Sequence, residues 1–174
     1  MAISILCLVF LPALLVVAAV SDLLSFTIPN AVPASIIALF VVFLLELALA
    51  GHALSFTATG FHLLAGLAGL VLGMAFFAAG WIGGGDAKLF AAVALWLGWG
   101  VLFEYAIALS LLGGVLTFGI IVLRRFPLPA KLAAWSWVAR LADPKAGIPY
   151  GIALAAAALI VLPDTELFAM TAGS

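Results

Sequence analysis

Apolar runs of membrane-span length alternate with short polar or glycine-rich joints along the whole chain, and each run predicts a helix. Segment one is Ile3 to Val20, followed by the joint Ser21 to Asn30. Pro29 and Asn30 close that joint as turn and helix-start residues. Segment two runs from Ala31 to Ala50 and stops at Gly51-His52. A turn outside the bilayer, Gly51 to Thr59, leads to segment three, Phe61 to Ala79. Gly66, Gly69 and Gly73 lie in it, and the Gly69-x-x-x-Gly73 spacing lets another helix approach closely.

The next joint, Gly80-Trp81-Ile82-Gly83-Gly84-Gly85-Asp86-Ala87-Lys88, is glycine-rich and charged. The stretch from Asp86 to Leu123 would make one helix of roughly 57 Å, against a hydrocarbon core of about 30 Å. It must fold back, and Gly98-Trp99-Gly100 is the break. This gives a short segment four, Ala87 to Leu97, and segment five, Val101 to Leu123. Segment four is too short for a full span unless it is tilted or lined by protein. The polar connection Arg124 to Gly147 can hold an interfacial helix from about Ala130 to Ala142. Segment six, Ile148 to Leu162, opens with Ile148-Pro149-Tyr150-Gly151, where Pro149 reads most simply as a first-turn residue. Pro163 and the acidic tail Asp164-Thr165-Glu166 end it. Continuous rather than alternating apolar runs point to helices and away from a barrel. The expected fold is all-α: a polytopic helical membrane protein with six transmembrane segments in one domain, residues 1–174.

Composition places the chain in the bilayer. Hydrophobic residues make up 68% and charged residues 7%, against about 45–50% and about 25% in soluble domains. The net charge of −1 excludes a nucleic-acid partner, which needs a basic footprint. The single cysteine, Cys7, excludes an internal disulfide and reads as a small buried hydrophobe. Segment one lacks a positive n-region and outlasts an ordinary leader, so it reads as a retained span.

Charge then orients the chain. Arg124, Arg125, Lys131, Arg140 and Lys145 lie between segments five and six, and Lys88 lies in the glycine-rich joint. Segments four and five separate the two joints, so both are on one face, and basic short loops stay cytoplasmic. Lys88 by itself reads as such an orientation charge. Asp22 follows segment one and Asp86 follows segment three, so both acids fall on the cytoplasmic face at the membrane edge. Glu46, Glu104, Asp164 and Glu166 fall on the other, as do His52 and His62, which are not read as ligands. Asp143 has Arg140 or Lys145 as a partner in its own loop.

An acid at a membrane edge needs a reason, because Asp costs roughly 2.5–3.5 kcal/mol at a spanning-helix centre. Two carboxylates close together share a proton, since ionising both is expensive. The ionised partner can activate water while the protonated one polarises a carbonyl or donates to a leaving group. This is aspartic-protease chemistry and needs no cofactor or metal. Gly83, Gly84 and Gly85 beside Asp86 would let backbone approach an extended substrate.

Three motifs carry a family resemblance. Gly83-Gly84-Gly85-Asp86 is a GxGD motif followed by Ala87-Lys88-Leu89; Asp22 precedes Ile28-Pro29-Asn30; and Pro149-Tyr150-Gly151 stands before the last span. Together they resemble the type IV prepilin peptidases, in the short branch associated with tight-adherence, or Flp-type, pili. The resemblance implies an aspartic endopeptidase of the bacterial inner membrane that removes the leader of prepilin or pseudopilin substrates at the cytoplasmic face. It implies Asp22 and Asp86 as catalytic residues, with Gly83, Gly85, Lys88, Pro29, Asn30, Pro149, Tyr150 and Gly151 supporting them. Pilus or secretion assembly machinery would be a further partner. Larger relatives carry paired cysteines linked to methylation; without Cys-x-x-Cys, no methyltransferase activity is expected here. The joint Leu23 to Thr27 also lacks the Arg or Lys common in relatives, which bears on substrate preference.

Two other classes compete. A small proton- or cation-coupled transporter would use the same acids, but no polar path crosses the spans. An inactive pilus or secretion assembly protein would have no need of both acids.

Overall fold

The computed structural model describes residues 2–172, with side-chain burial assigned from residue 9 to residue 170. The side chain of Cys7 lies outside the described residues. Nine α-helices form among them: α1 (Ala2–Ser25), α2 (Ala31–Leu49), α3 (Phe56–Ala78), α4 (Gly84–Leu97), α5 (Leu102–Leu123), α6 (Ala130–Ala133), α7 (Ser136–Ala142), α8 (Gly151–Val161) and α9 (Glu166–Ala172). A 3₁₀ turn, Leu162–Asp164, joins the last two. The class is all-α, as the apolar runs predict. All six expected segments appear as helices. Three of them, α2, α3 and α5, are long and apolar enough to cross a membrane by themselves. The Val9–Ser25 part of α1 and the stretch Gly151–Asp164 are shorter apolar helices. The chain is a multi-pass membrane protein.

The short fourth segment is the centre of the fold. Ala92 to Leu97 are all buried on α4, together with Asp86, Ala87 and Leu89. Helices α2, α3 and α8 pack around it, so it is protein-lined. Trp96 donates from Nε1 to the Ile36 carbonyl of α2 at 2.8 Å. Buried His62 of α3 donates from Nδ1 to the Leu95 carbonyl at 2.9 Å. The other layer pairs α1 and α5 with α8.

The glycine stripe of segment three faces α4. A Cβ on Gly69 would stand 2.9 Å from Ala94 Cβ, and one on Gly73 would stand 3.0 Å from Ala87 Cα. So close an approach of the two helices needs the missing side chains. The outward faces of α3 and α5 carry exposed Leu67, Val71, Val115 and Phe118, which suits lipid as their solvent.

Several boundaries differ from the sequence reading. Helix α1 runs past Val20 to Ser25, because Asp22 continues the buried stripe of Leu11, Leu15 and Ala18 at helical spacing. Helix α3 starts at Phe56, since Ser55 caps it by accepting from the Ala58 N–H at 3.1 Å. The expected interfacial helix is two short pieces, α6 and α7. The acidic tail is not an end: Thr165 Oγ1 accepts from the Phe168 N–H at 3.2 Å and starts α9.

Candidate active site

Asp22 sits in the last turns of α1, beyond the apolar run, and is 4% exposed. The helix ends just after it. The Phe26 N–H donates to the Asp22 carbonyl at 2.7 Å, and Phe26 itself takes φ +57. A left-handed conformation is uncommon for so bulky a residue. The guanidinium of Arg140 from α7 lies 5.6 Å from the centre of the Phe26 ring and donates to the Ser25 carbonyl at 2.9 Å. The chain then turns toward Ile28-Pro29-Asn30.

The Asp22 carboxylate is held from the far end of the sequence. Its Oδ2 accepts the Gly151 N–H at 2.6 Å. Gly151 is the first residue of α8, so that N–H is one of the donors a helix leaves unsatisfied, and an anion there also meets the positive end of the helix dipole.

Asp86 occupies the matching place on α4. It is the third residue of the helix, after the N-cap Gly83, and its Oδ2 accepts the Gly83 N–H at 2.9 Å. This is the acidic half of a capping box; glycine offers no side chain to complete the other half. The remaining oxygen, Oδ1, is buried and has no hydrogen-bond partner.

Ile28 joins the two acids. Its backbone N and O would each lie 3.3 Å from a Cβ on Gly85, and its Cδ1 would lie 2.9 Å from a Cβ on Gly151. The glycines at 83 and 85 are therefore used within the protein. Gly83 leaves room for the returning Asp86 carboxylate, 3.0 Å from where its Cβ would stand, and Gly85 admits the Ile28 turn. Lys88 Nζ donates to Asn30 Oδ1 at 2.8 Å, fastening α4 to the start of α2. Asn30 is the α2 N-cap, yet its side chain makes this cross-helix bond and no capping one. Pro29 is exposed, whereas Pro149 is fully buried just before α8. The three sequence motifs thus converge on one place.

Burial raises both carboxyls above their ordinary range. For Asp22 the Gly151 N–H opposes the rise. For Asp86, burial and then the charge of Asp22 push the value up to about 6, with the Gly83 N–H opposing. A pair in which one acid raises the other loses its two protons in separate steps.

A cavity of about 560 Å³ opens beside Asp86. Its walls include Phe76, Trp81, Phe90 and Leu154, together with the Ser110-Gly113-Gly114-Thr117 face of α5. Tyr150 also lines it, and its hydroxyl lies 3.1 Å from Thr117 Oγ1. Sequence reasoning passed over Ile28 as a joint and Thr117, and it offered Arg140 to Asp143, whereas Arg140 bonds to the Ser25 carbonyl and it is the Lys145 N–H that donates to Asp143. Only Thr117 left a signal, as a polar residue in phase with Ser110, Gly113 and Gly114 along an apolar helix.

Neither the curated proteins nor the solved structures yield a significant match to this chain. A sequence profile described as the Type IV leader peptidase family matches residues 9–118, more than half of the chain, and takes in Asp22, Ile28-Pro29-Asn30 and Gly83 to Lys88. The chain belongs to the type IV leader peptidase family.

Proposed function

We propose that the leader-peptidase activity of this chain is that of an aspartic endopeptidase whose catalytic pair is Asp22 and Asp86. The observation that carries the reading is Asp86 Oδ1: a buried carboxylate oxygen without a partner, on a residue that lines an apolar cavity. An unpaired buried polar atom costs the fold roughly 1–3 kcal/mol, so its retention fits a role with substrate or water. The charge of Asp22 reaches Asp86, as proton sharing requires.

In the proposed reaction the pair holds one proton. The ionised carboxylate takes a proton from water as the water attacks the scissile carbonyl. The protonated carboxyl donates to the developing oxyanion; as the C–N bond breaks, the proton taken from water passes to the leaving amine and the gem-diol returns a proton to the pair. The base belongs to the pair and is not assigned to one residue.

The substrate is a prepilin or pseudopilin of the Flp type, with an apolar helix directly after the cut site. A cavity walled by Phe76, Trp81, Phe90 and the small residues of α5 suits such a helix. A dyad at the membrane edge would reach the bond without pulling that helix from the bilayer. The proposed setting is one domain over residues 1–174 with six spans in a bacterial inner membrane, the dyad facing the cytoplasm. Five basic residues between α5 and α8 and Lys88 support that orientation. The activity is leader removal alone: a lone Cys7 builds no paired-cysteine motif for methyl transfer.

Asp22→Asn and Asp86→Asn, each co-expressed with a prepilin substrate, test the pair. Both variants are expected to accumulate in the membrane and leave the leader uncut, with mass spectrometry locating the cut in the wild type. Normal processing by either variant removes the dyad. Cysteines placed at 22 and 86 are expected to label from the cytoplasmic side.

A further inference from the structure

Two polar side chains of the cavity have no part in the reaction as written. Tyr150 hydroxyl and Thr117 Oγ1 bond to each other at 3.1 Å, between the start of α8 and the middle of α5. The ring of Tyr150 rests on α5 at Gly113, where an added Cβ would stand 3.5 Å from Tyr150 Cε1. Tyr150 is also the N-cap of α8. The next N–H in the chain, that of Gly151, is the one that holds Asp22. Any rotation of the Tyr150–Gly151 peptide therefore moves the donor off the carboxylate. The peptide plane hinges on Tyr150 Cα, so a ring anchored on α5 holds that pivot in place and limits how far the N–H can swing.

We propose that Tyr150, anchored by Thr117, is a positioning residue of the leader-peptidase reaction that fixes the Gly151 N–H on Asp22. The claim rests on the reading of Asp22 and Asp86 as the catalytic pair. It gives α5 a role in the chemistry, although α5 contributes neither acid. Without the anchor, the 2.6 Å bond is held by the α8 backbone alone. That bond favours the ionised form of Asp22, so loosening it strengthens proton binding there. The charged group acting on Asp86 from another helix is Asp22. Lys88 of α4 and Arg140 of α7 bond instead to Asn30 and to the Ser25 carbonyl.

The test uses the full chain in detergent or bilayers with a prepilin substrate, and the variants Thr117→Val, Tyr150→Phe, their double variant and Thr117→Ser. Val and Phe remove the hydroxyls and keep shape. Each is expected to lower kcat roughly tenfold, the rate equivalent of one hydrogen bond, with KM little changed. The acid limb of the kcat/KM profile moves to higher pH in both. The double variant is no slower than either single one, because both break the same bond. Thr117→Ser, which keeps the hydroxyl, returns the acid limb to its wild-type position. Melting temperatures accompany each assay, so that a rate loss in a destabilised protein is recognised. Thr117→Val and Tyr150→Phe profiles that coincide with wild type, or rate losses that multiply in the double variant, overturn the proposal. If they do so while Asp22→Asn is inactive, only the positioning role falls; an active Asp22→Asn removes the dyad first.

Discussion

Gly151 and Asp22, 129 positions apart, meet through a 2.6 Å hydrogen bond from the glycine N–H to the carboxylate. The bond joins the end of α1 to the start of α8, and space around it is fully used. A Cβ at 151 would lie 2.8 Å from Asp22 Oδ2, 2.9 Å from Asp22 Cβ and 2.9 Å from Ile28 Cδ1. Gly151→Ala must therefore displace the acid or the Ile28 turn. Overpacking of this kind costs about 1–3 kcal/mol. The expected outcome is a lower melting temperature together with at least a tenfold loss of processing. Gly147→Ala is the control, because nothing lies within 4 Å of that Cβ. Equal behaviour of the two variants would show that the contact does not matter.

Asp86 predicts a trade between stability and activity. Its value of about 6 in the folded chain is above the ordinary 3.8. Stability from such a group is fully present below about 3.8 and is lost as pH rises through about 6. At higher pH the buried ionised acid costs the fold up to roughly 3 kcal/mol. Asp86→Asn removes that cost along with the proton. It is expected to melt above wild type at pH 8, with the gap closing near pH 4, while being inactive. Thermal melts at the two values decide the point; a variant that melts at or below wild type at pH 8 contradicts it.

Much of this site was legible in the sequence because membrane constraints are strict. Apolar run length located six segments that appear as helices, and the two acids it leaves at helix ends, Asp22 and Asp86, lie near enough for the charge of Asp22 to act on Asp86. The role of the glycines was not legible. Gly83 and Gly85 read as room for a substrate, yet the structure fills that room with the Asp86 carboxylate and the Ile28 turn. A glycine in a sequence says that something approaches closely without saying what. The same applies to Lys88. Its charge was read as an orientation signal, and its bond to Asn30 depends on a pairing of α4 with α2 that no local pattern encodes. Helix α9 was missed because Pro163 and two acids look like a terminus, whereas Thr165 starts a new helix.

Helix α3 is held to the fold mainly through α4, and the glycine stripe is the reason it can dock. Gly73→Ala would place a methyl group 3.0 Å from Ala87 Cα, next to Asp86. Backbone cannot yield as a flexible side chain can, so α3 and the head of α4 must separate. The expected cost is about 1–3 kcal/mol with reduced processing. Gly60→Ala lies on the same helix with open space around it. It should be neutral or stabilising by up to about 1 kcal/mol from helix propensity. Opposite shifts in melting temperature are the signature of packing; parallel shifts would mean that propensity alone governs α3.

Arg124 tests whether the basic connection does more than orient the chain. Its Nε donates to the Leu141 carbonyl at 2.9 Å, and its Nη2 donates to the Ala146 and Gly147 carbonyls at 3.0 and 2.9 Å. One guanidinium thus fastens the end of α7 and the strand of chain that leads through Pro149 to Gly151. Lysine keeps the charge, and with it any orientation signal, but lacks the planar fork that reaches several acceptors at once. Arg124→Lys is expected to keep the wild-type labelling pattern of cysteines at 22 and 86 while lowering processing by roughly tenfold, the equivalent of one lost hydrogen bond acting through Gly151. Arg125→Lys, at an exposed neighbour, should change neither. If Arg124→Lys processes at the wild-type rate, the loop before α8 is held well enough without the fork, and Arg124 is an orientation charge after all.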